Sequence, residues 1–398
     1  GEAEESFAQV FLDEIAADEI EGVFDQLRSY GPFTVTGYVE GPVDGGTTAQ
    51  TEVTGRAGVR YVLIVSTDDD ELIRGLFLRP APELPAIGSF DDVASALAAA
   101  GDEGSYLVAR VVGQECEPVG SLDPGVLRPV GSVFKLYVLA AVVHAVAEGT
   151  LAWTDTLTLT DDLKSLPTGT LQDEPAGTEV TVREAAGLMI SISDNTATDL
   201  LIDALGREAV EAAVVRLGHS EPEVLSPFLT TREMFQLAFV DGARRAVWVR
   251  ATGADPLTAD AGASERQRAV LADLPGGPIA YDAGLLARPA WPAGLDWFAT
   301  AEDVCRAHVA LAQLSETEAG EPVREILSRN PGLQDASGLD YVAFKGGSAP
   351  GEIAGSWYVE TADDRFVVVI QSASREGAAP GGAWLVSVAA QTLALVLG

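Results

Sequence analysis

Apolar positions in the first eighty residues follow one helical pattern and then four strand patterns. Between residues 5 and 30 apolar side chains recur at the spacing of a helix with one buried face. Glycine- and aspartate-containing turns then separate four runs with strand character: Phe33–Val39, Thr48–Gly55, Val59–Val65 and Leu72–Leu78. A helix followed by an antiparallel meander predicts a small α+β domain over residues 1–80, and the proline-rich stretch 81–88 predicts a linker.

Helical and strand patterns are interleaved in the rest of the chain. Strand patterns cover Ser105–Val112 and Val359–Gln371, and helical spacing covers Phe90–Ala100, Ser132–Ala147, Val180–Ile192 and Asp194–Leu205. Helices at both ends of a sheet, with more helices between the strands, predict an α/β sandwich over residues 89–398. A stretch of weak periodicity at about 228–296 is predicted to be an insertion.

Composition and charge exclude several classes of partner. The 398 residues are enough for two cores, and the formal net charge is −35. Because there is no basic stripe, the chain has nothing to neutralise nucleic-acid phosphates, and a polybasic contact with an anionic membrane is equally disfavoured. No apolar run reaches the ~20 residues that a spanning helix needs. We expect a monomer that acts on a small molecule and has no transmembrane segment.

Lysine is rare in this sequence. It occurs at Lys135, Lys164 and Lys345, and every other cationic side chain is an arginine. Arginine keeps its proton in proteins, whereas a lysine amine becomes a base when its pKa is lowered. Two of the three lysines belong to motifs that carry other reactive groups.

The first of these motifs is the run from Gly131 to Lys135, at the start of an apolar helical pattern. Ser132 and Lys135 are three positions apart and therefore project from one face of the first turn. A helix N-terminus concentrates N–H groups and positive potential, which favours an oxyanion at Ser132 and disfavours a protonated Lys135. The pattern predicts a serine nucleophile with an amine base, although a capping serine beside a surface lysine has the same spacing.

Two further motifs follow in order. A Ser-Asp-Asn run from Ser193 to Asn195 lies between two helical patterns, where its hydroxyl and amide either face a cleft or cap the second helix. A Lys-Gly-Gly-Ser run from Lys345 to Ser348 lies on a strand pattern. Its glycines let a substrate backbone approach the strand edge, and Lys345 offers positive charge to a carboxylate; the alternative is a plain glycine-rich turn.

Together the three motifs resemble the S-x-x-K, S-D-N and K-T-G set of class A β-lactamases and penicillin-binding proteins. The resemblance covers the chain from about Phe90 to the C-terminus, and it implies that the α/β sandwich consists of an antiparallel sheet and a helical subdomain. It implies an acyl-enzyme hydrolase that acts on a β-lactam, ester or amide carbonyl and needs no metal or other cofactor. The implied roles are nucleophile for Ser132, general base for Lys135, proton relay for Ser193, substrate-amide contact for Asn195, carboxylate recognition for Lys345, close substrate approach for Gly347 and oxyanion donor for Ser348.

Two departures from the family pattern affect this interpretation. Gly346 stands where the family has threonine or serine, so a hydroxyl that helps to hold a substrate carboxylate is missing. Class A enzymes also carry E-x-x-L-N on an Ω-loop, and its glutamate activates the hydrolytic water. Glu221 and Glu223 do not have the required spacing, and Glu233 is no better placed. We therefore expect weak β-lactam turnover.

A separate N-terminal domain and an insertion in place of the Ω-loop resemble one subgroup. It contains the serine hydrolase encoded in clavulanic-acid gene clusters and related actinobacterial lipoproteins, whose N-terminal domain is cystatin- or steroid-isomerase-like. The resemblance implies an esterase-like activity or weak β-lactam hydrolysis, and export to the cell envelope or the medium, although no signal peptide is present in the sequence. Cys116 and Cys305 form either one disulfide of an exported protein or two buried thiols.

Two other functions stay open at this point. A D,D-peptidase fits the first two motifs equally well, and a receptor or scaffold that traps β-lactams or peptides without turnover needs the same acylation groups. A Ser-His-Asp triad is not expected, because His144 falls inside the Ser132 helix and His308 in another helical run. The histidines and cysteines show no clustering of the kind that binds a metal.

Overall fold

The computed structural model divides the chain into two compact units, Gly1–Glu83 and Leu84–Gly398. The predicted limits, 1–80 with a linker at 81–88 and an insertion at about 228–296, stay predictions. The residues that the structure describes are 6–12, 15, 20, 22, 24, 28, 31–43, 46–56, 60–68, 70–80, 84–240, 242–252, 263–279, 288–333, 335–377 and 379–397.

The smaller unit is built on a four-stranded antiparallel sheet whose strands follow one another in sequence order. The strands are β1 (Thr34–Val43), β2 (Gly46–Thr54), β3 (Arg60–Thr67) and β4 (Ile73–Pro80), and they correspond to the four predicted runs. A short helix, α1 (Gln9–Leu12), precedes them, and Phe7 packs with Ile20 in a small apolar cluster that includes Ile73 of β4. Most of the helix predicted between residues 5 and 30 lies outside the described residues.

The larger unit is organised around a five-stranded sheet in the order β11-β12-β13-β5-β6, with every neighbouring pair antiparallel. This confirms the predicted fold class. Short pairs of strands, β7 with β10 and β8 with β9, lie outside that sheet. The strands are β5 (Glu103–Val112), β6 (Glu115–Leu122), β7 (Arg128–Pro129), β8 (Thr156–Thr158), β9 (Glu179–Thr181), β10 (Phe298–Ala299), β11 (Tyr341–Ala349), β12 (Glu352–Glu360) and β13 (Arg365–Ala373).

Helices cover the larger unit's sheet on both faces. They are α2 (Phe90–Ala100), α3 (Lys135–Ala147), α4 (Val182–Ser191), α5 (Asn195–Leu205), α6 (Arg207–Arg216), α7 (Thr231–Phe239), α8 (Gly242–Thr252), α9 (Ala263–Ala272), α10 (Ala301–Leu314), α11 (Val323–Ser328) and α12 (Gly382–Leu397). Side chains of a strand alternate between faces, so Val367 and Val369 of β13 join the core under α3 and α10, whereas Val368 and Ile370 join the core under α2 and α12.

Helix α3 passes through the centre of the helical layer and is buried on nearly every side. Its neighbours begin at side-chain caps that satisfy their first N–H groups: Thr181 and Glu184 form a capping box at α4, and Asp194 caps α5. The Asp194 cap lies in the loop that follows α4, and it therefore helps to fix where α5 begins beside α3.

Two predicted elements have different limits in the structure. The helix predicted from Ser132 begins as a 3₁₀ turn, Gly131–Phe134, and continues as α3. The strand predicted over Val359–Gln371 is wrong as one strand, because β12 ends at Glu360 and β13 begins at Arg365. Between them Thr361 and Asp364 close a hairpin turn, with Thr361 N donating to Asp364 O at 2.9 Å.

Cys116 of β6 and Cys305 of α10 form a disulfide, with their Cα atoms 6.5 Å apart and 189 positions apart in sequence. Of the two alternatives open from the sequence, the bridge is therefore the one found. The disulfide links β6, an edge strand of the five-stranded sheet, to helix α10.

Candidate functional site

Ser132 lies on the 3₁₀ turn before α3, half-buried, in the wall of a cleft of about 770 Å³. The turn is anchored because Val130 N donates to Trp297 O at 2.9 Å, next to the pairing of β7 with β10. Among the described residues, none forms a hydrogen bond with the Ser132 hydroxyl. Its Oγ is therefore free to meet a substrate.

Gly131, immediately before Ser132, cannot be replaced without moving the turn. Its φ of 46° is in the left-handed region, and a Cβ at this position would lie 2.7 Å from Glu352 Oε1 and 2.8 Å from Ser348 N. Strand β11 packs equally closely, because a Cβ on Gly347 would lie 2.6 Å from Ser132 N. Two glycines thus bring the backbones of Ser132 and Ser348 side by side, the arrangement that an oxyanion hole with two N–H donors requires.

Lys135 begins α3 and is completely buried. Its Nζ donates to Ser193 O at 2.7 Å, Ser193 Oγ at 3.1 Å and Asn195 Oδ1 at 2.6 Å. Burial, followed by the charge of Lys345, lowers the pKa of Lys135 well below its ordinary value, and the carboxylates of Asp199 and Asp194 oppose this shift. The environment therefore favours a neutral amine, which keeps two N–H donors; of its three oxygen neighbours only the Ser193 hydroxyl can donate to the lone pair in return.

Ser193 connects the two motif lysines. It adopts a φ of 59° in the loop between α4 and α5, which is uncommon for a residue other than glycine. Its Oγ lies 3.1 Å from Lys135 Nζ and 3.0 Å from Lys345 Nζ. Asp194 holds the loop, since its carboxylate accepts from Thr170 N at 2.8 Å and from Leu171 N at 3.1 Å.

Lys345, on edge strand β11, also has its charge buried. Its Nζ donates to Ser193 Oγ at 3.0 Å and to Gly346 O at 2.8 Å, and burial lowers its pKa to about 7. We call Lys135, Ser193, Asn195 and Lys345 the lysine cluster. The structure brings these four predicted residues together, and it places Gly347 and Ser348 on the cleft wall next to Ser132.

Asn195 lies on the cleft wall and is also bonded within the protein. Its Oδ1 accepts from Lys135, and its Nδ2 donates to Leu166 O at 2.7 Å, so both ends of the amide are bonded within the protein. The side chain is 7% exposed at the cleft wall. The second N–H of Nδ2 and the second lone pair of Oδ1 remain for the predicted contact with a substrate amide.

A pair of buried carboxyl groups on the other side of the Ser132 turn escaped the sequence analysis. Asp296 Oδ1 accepts from Gly131 N at 3.0 Å and Trp297 N at 2.7 Å. Burial raises the pKa of Asp296 to about 7 and that of Glu352 well above its ordinary value, the latter also through repulsion by Asp296. No described N–H or hydroxyl donates to either Glu352 oxygen. We call Asp296 and Glu352 the carboxyl pair. Because the two carboxyl groups lie close together, they favour sharing one proton.

The acids considered for activating water lie elsewhere. Glu221 and Glu223 are exposed, on either side of Pro222, and neither lines the cleft. Glu233 belongs to the capping box of α7 and pairs with Arg207 at 2.7 Å. The structure therefore brings none of the three to Ser132.

The described residues contain no cluster of histidine, cysteine and acidic side chains suited to a metal ion. Two histidines are bonded elsewhere, His219 to Phe298 O and His308 to Ser356 Oγ, each at 2.9 Å. None of the helices in the described ranges has the length and apolar character needed to cross a bilayer.

Comparison with protein families gives two matches. The model of the β-lactamase enzyme family matches residues 92–394, and the model of the ORF 12 gene product N-terminal domain matches residues 1–73. No curated protein sequence matches the chain.

Solved structures share the fold of the larger unit. A β-lactamase from Sphaerobacter thermophilus has a TM-score of 0.54 and 21% identity, over 78% of this chain and 98% of that one. PBP-A has a TM-score of 0.51 and 17% identity, over 79% and 98% of the two chains. A variant of the last common ancestor of Gram-negative class A β-lactamases has a TM-score of 0.52 and 18% identity, over 77% and 97%. At these identities the likeness concerns the fold alone.

Proposed function

The chain belongs to the β-lactamase enzyme family, and from that membership and the geometry around Ser132 we propose that it is a hydrolase that forms an acyl-enzyme on Ser132. The observation that carries the proposal is the Ser193 hydroxyl, 3.1 Å from Lys135 Nζ and 3.0 Å from Lys345 Nζ, in the wall of the cleft that contains Ser132. A hydroxyl between two amines of lowered pKa is suited to moving a proton between nucleophile and leaving group.

In the proposed acylation, Ser132 Oγ attacks the carbonyl carbon of an ester, amide or β-lactam. The hydroxyl proton of Ser132 passes to the neutral amine of Lys135 as the new C–O bond forms. The backbone N–H groups of Ser132 and Ser348 stabilise the negative charge on the carbonyl oxygen. When the bond to the leaving group breaks, Ser193 delivers a proton to that group and is reprotonated from Lys135.

Hydrolysis of the acyl-enzyme is proposed to be the slow step. Water needs a base to attack the ester on Ser132, and the acids that line the cleft among the described residues are Asp296, Glu352 and Glu376. Asp296 and Glu352 interact with each other, and Asp296 also accepts two backbone N–H bonds. Glu376 is exposed. This supports the expectation of weak β-lactam turnover.

Export is proposed on the basis of the Cys116–Cys305 disulfide. Disulfides persist in oxidising compartments, and thiols are kept reduced in the cytosol. The bridge thus agrees with a location in the cell envelope or the medium.

The proposal is tested by intact-mass analysis after exposure to p-nitrophenyl acetate and, separately, to benzylpenicillin. We expect an adduct of the acyl group on the wild-type chain, located by peptide mapping to the Ser132 peptide and missing from Ser132→Ala. An adduct that persists in the Ser132→Ala chain would assign the chemistry to another residue. A chain that forms an adduct and releases no further product would act as a receptor.

A further inference from the structure

The cleft beside Ser132 presents acids and no described cation at its surface. Asp296, Glu352 and Glu376 are among its described lining residues, and no lysine or arginine is. The residues of 84–398 that are not described contain no lysine or arginine in their sequence. A substrate carboxylate in this cleft would therefore lose water and meet no cationic side chain on the described cleft wall, which is costly.

Lys345, which the family resemblance assigns to a substrate carboxylate, lies behind Ser193 and does not itself line the cleft. Its Nζ donates to Ser193 Oγ and to Gly346 O, and the residue is 3% exposed. The next position is Gly346, which offers no hydroxyl. Of the groups that would hold a carboxylate, the hydroxyl at position 346 is missing, and the Lys345 ammonium reaches the cleft only through Ser193 Oγ, which lines it.

Apolar side chains are prominent among the residues that line the cleft. Helix α7 contributes Met234, Phe235 and Phe239, and the sheet contributes Phe344 and Ile353. Apolar walls bind uncharged groups because contact removes both surfaces from water. A cleft of about 770 Å³ has room for an acyl chain of several carbons against this wall.

We infer that the cleft accepts esters with an apolar, uncharged acyl group and discriminates against substrates that carry a carboxylate near the scissile carbonyl. The inference rests on the proposed acyl-enzyme at Ser132 and adds the class of substrate. The net charge of −35 acts in the same direction, because the field of an acidic protein repels anions before they reach the cleft. Benzylpenicillin, with a carboxylate next to its β-lactam ring, is accordingly a poor substrate.

The test compares benzylpenicillin with its methyl ester, which keeps the β-lactam ring and removes the negative charge. The second-order rate of adduct formation on Ser132 is measured for both by intact mass, with Ser132→Ala as the control for site. We expect the second-order rate of adduct formation to be about tenfold higher or more for the methyl ester than for benzylpenicillin. Equal rates, or a faster reaction of benzylpenicillin, would overturn the inference and leave the proposed acyl-enzyme intact.

A second pair of esters checks the same discrimination without a β-lactam. p-Nitrophenyl pentanoate and the p-nitrophenyl monoester of glutaric acid have acyl chains of equal length and differ in a terminal carboxylate. We expect the pentanoate to release nitrophenol about tenfold faster or more. A glutarate monoester that reacts as fast would contradict the inference. If none of the four compounds forms an adduct at Ser132, the proposed function fails, and the inference fails with it.

A variant that restores the missing hydroxyl is expected to weaken the discrimination against a substrate carboxylate. Gly346→Ser adds a hydroxyl beside Lys345, and the nearest obstacle to its Cβ is the end of the Phe344 side chain at 2.9 Å. We expect the rate advantage of the methyl ester over benzylpenicillin to narrow several-fold. An unchanged ratio in the folded variant, checked by its melting temperature, would show that Gly346 does not set the discrimination.

Discussion

The lysine cluster and the carboxyl pair lie on two sides of the Ser132 turn and differ in how they accommodate buried charge. In the lysine cluster, Lys135 and Lys345 each have oxygen partners, supplied by the loop before α5 and by β11 itself. In the carboxyl pair, Asp296 accepts backbone N–H bonds, whereas Glu352 has no described donor and favours the protonated form.

This difference indicates which step of the reaction the protein supports. Amines with fixed partners and lowered pKa values are ready to exchange a proton during acylation. The carboxyl pair, in contrast, keeps its one remaining negative charge on a carboxylate that accepts two backbone N–H bonds, which weakens it as a base for water. The comparison therefore predicts that variants of the lysine cluster affect acylation, and that variants of the carboxyl pair act mainly on the pH dependence of stability.

The largest effect is expected from Lys135→Met, which keeps much of the side-chain volume and removes the base. General base catalysis contributes roughly 10²–10⁴-fold, so we expect acylation by p-nitrophenyl acetate to fall about 10³-fold. Stopped-flow release of nitrophenol measures this rate. A folded variant that reacts within a few-fold of the wild type would exclude Lys135 as the base.

Ser193→Ala comes next and removes the hydroxyl between the two amines. We expect acylation to fall about 10²-fold, because Lys135 remains and the proton relay is lost. The matched control is Ser191→Ala, whose hydroxyl bonds to Gly187 O within its own helix at 2.7 Å. Similar rates for the two serine variants would contradict a relay through Ser193.

Glu352→Gln is expected to change the pH dependence of stability. The folded pKa of Glu352 is raised, so the stability it contributes is fully present below its unfolded value of about 4.5 and is lost as pH rises through the folded pKa. Glutamine has no proton to lose. The difference in melting temperature, variant minus wild type, should therefore increase as the pH rises above about 4.5. Each kcal/mol of stability corresponds to about 2–4 °C in melting temperature. A pH-independent difference would contradict the buried pair.

Lys345→Met is expected to change the pH dependence of the melting temperature in the opposite direction to Glu352→Gln. Burial depresses the folded pKa of Lys345 to about 7, so its contribution to stability is present above the unfolded value of 10.5 and is lost as pH falls through 7. The variant's melting temperature relative to the wild type should rise as pH falls from about 10 to 7. Parallel slopes for Lys345→Met and Glu352→Gln would refute the contrast between the two groups.

The smallest effect is expected from Glu221→Gln combined with Glu223→Gln. Both carboxylates are exposed and neither lines the cleft. We expect the steady-state hydrolysis rate to stay within about twofold, since exposed surface charges contribute little. A tenfold lower rate of deacylation, with an unchanged rate of acylation, would show that Glu221 or Glu223 acts as the base that activates water.

The sequence predicted the lysine cluster because each member lies in a short motif at the end of a helical or strand pattern. It could not predict the carboxyl pair. Asp296 is brought to the Ser132 turn by the pairing of β10 with β7, and Glu352 by the position of β12 beside that turn. Neither residue has a local pattern that distinguishes it from a surface acid.

The disulfide and the limits of the elements illustrate the same dependence on tertiary contacts. Cys116 and Cys305 meet because α10 packs on the sheet next to β6, which their spacing alone does not reveal. The hairpin between Glu360 and Arg365 was overlooked because apolar residues flank its polar turn on both sides and extend the strand pattern across it.

We expect Ser132 to be acylated readily and its acyl group to be released slowly. Rapid mixing of a known concentration of the chain with p-nitrophenyl pentanoate measures both steps in one trace. We predict a burst of about one nitrophenol per chain, followed by a slower steady rate, and no burst from Ser132→Ala. A linear trace without a burst or adduct in the wild type, or an equal burst from Ser132→Ala, would contradict the claim.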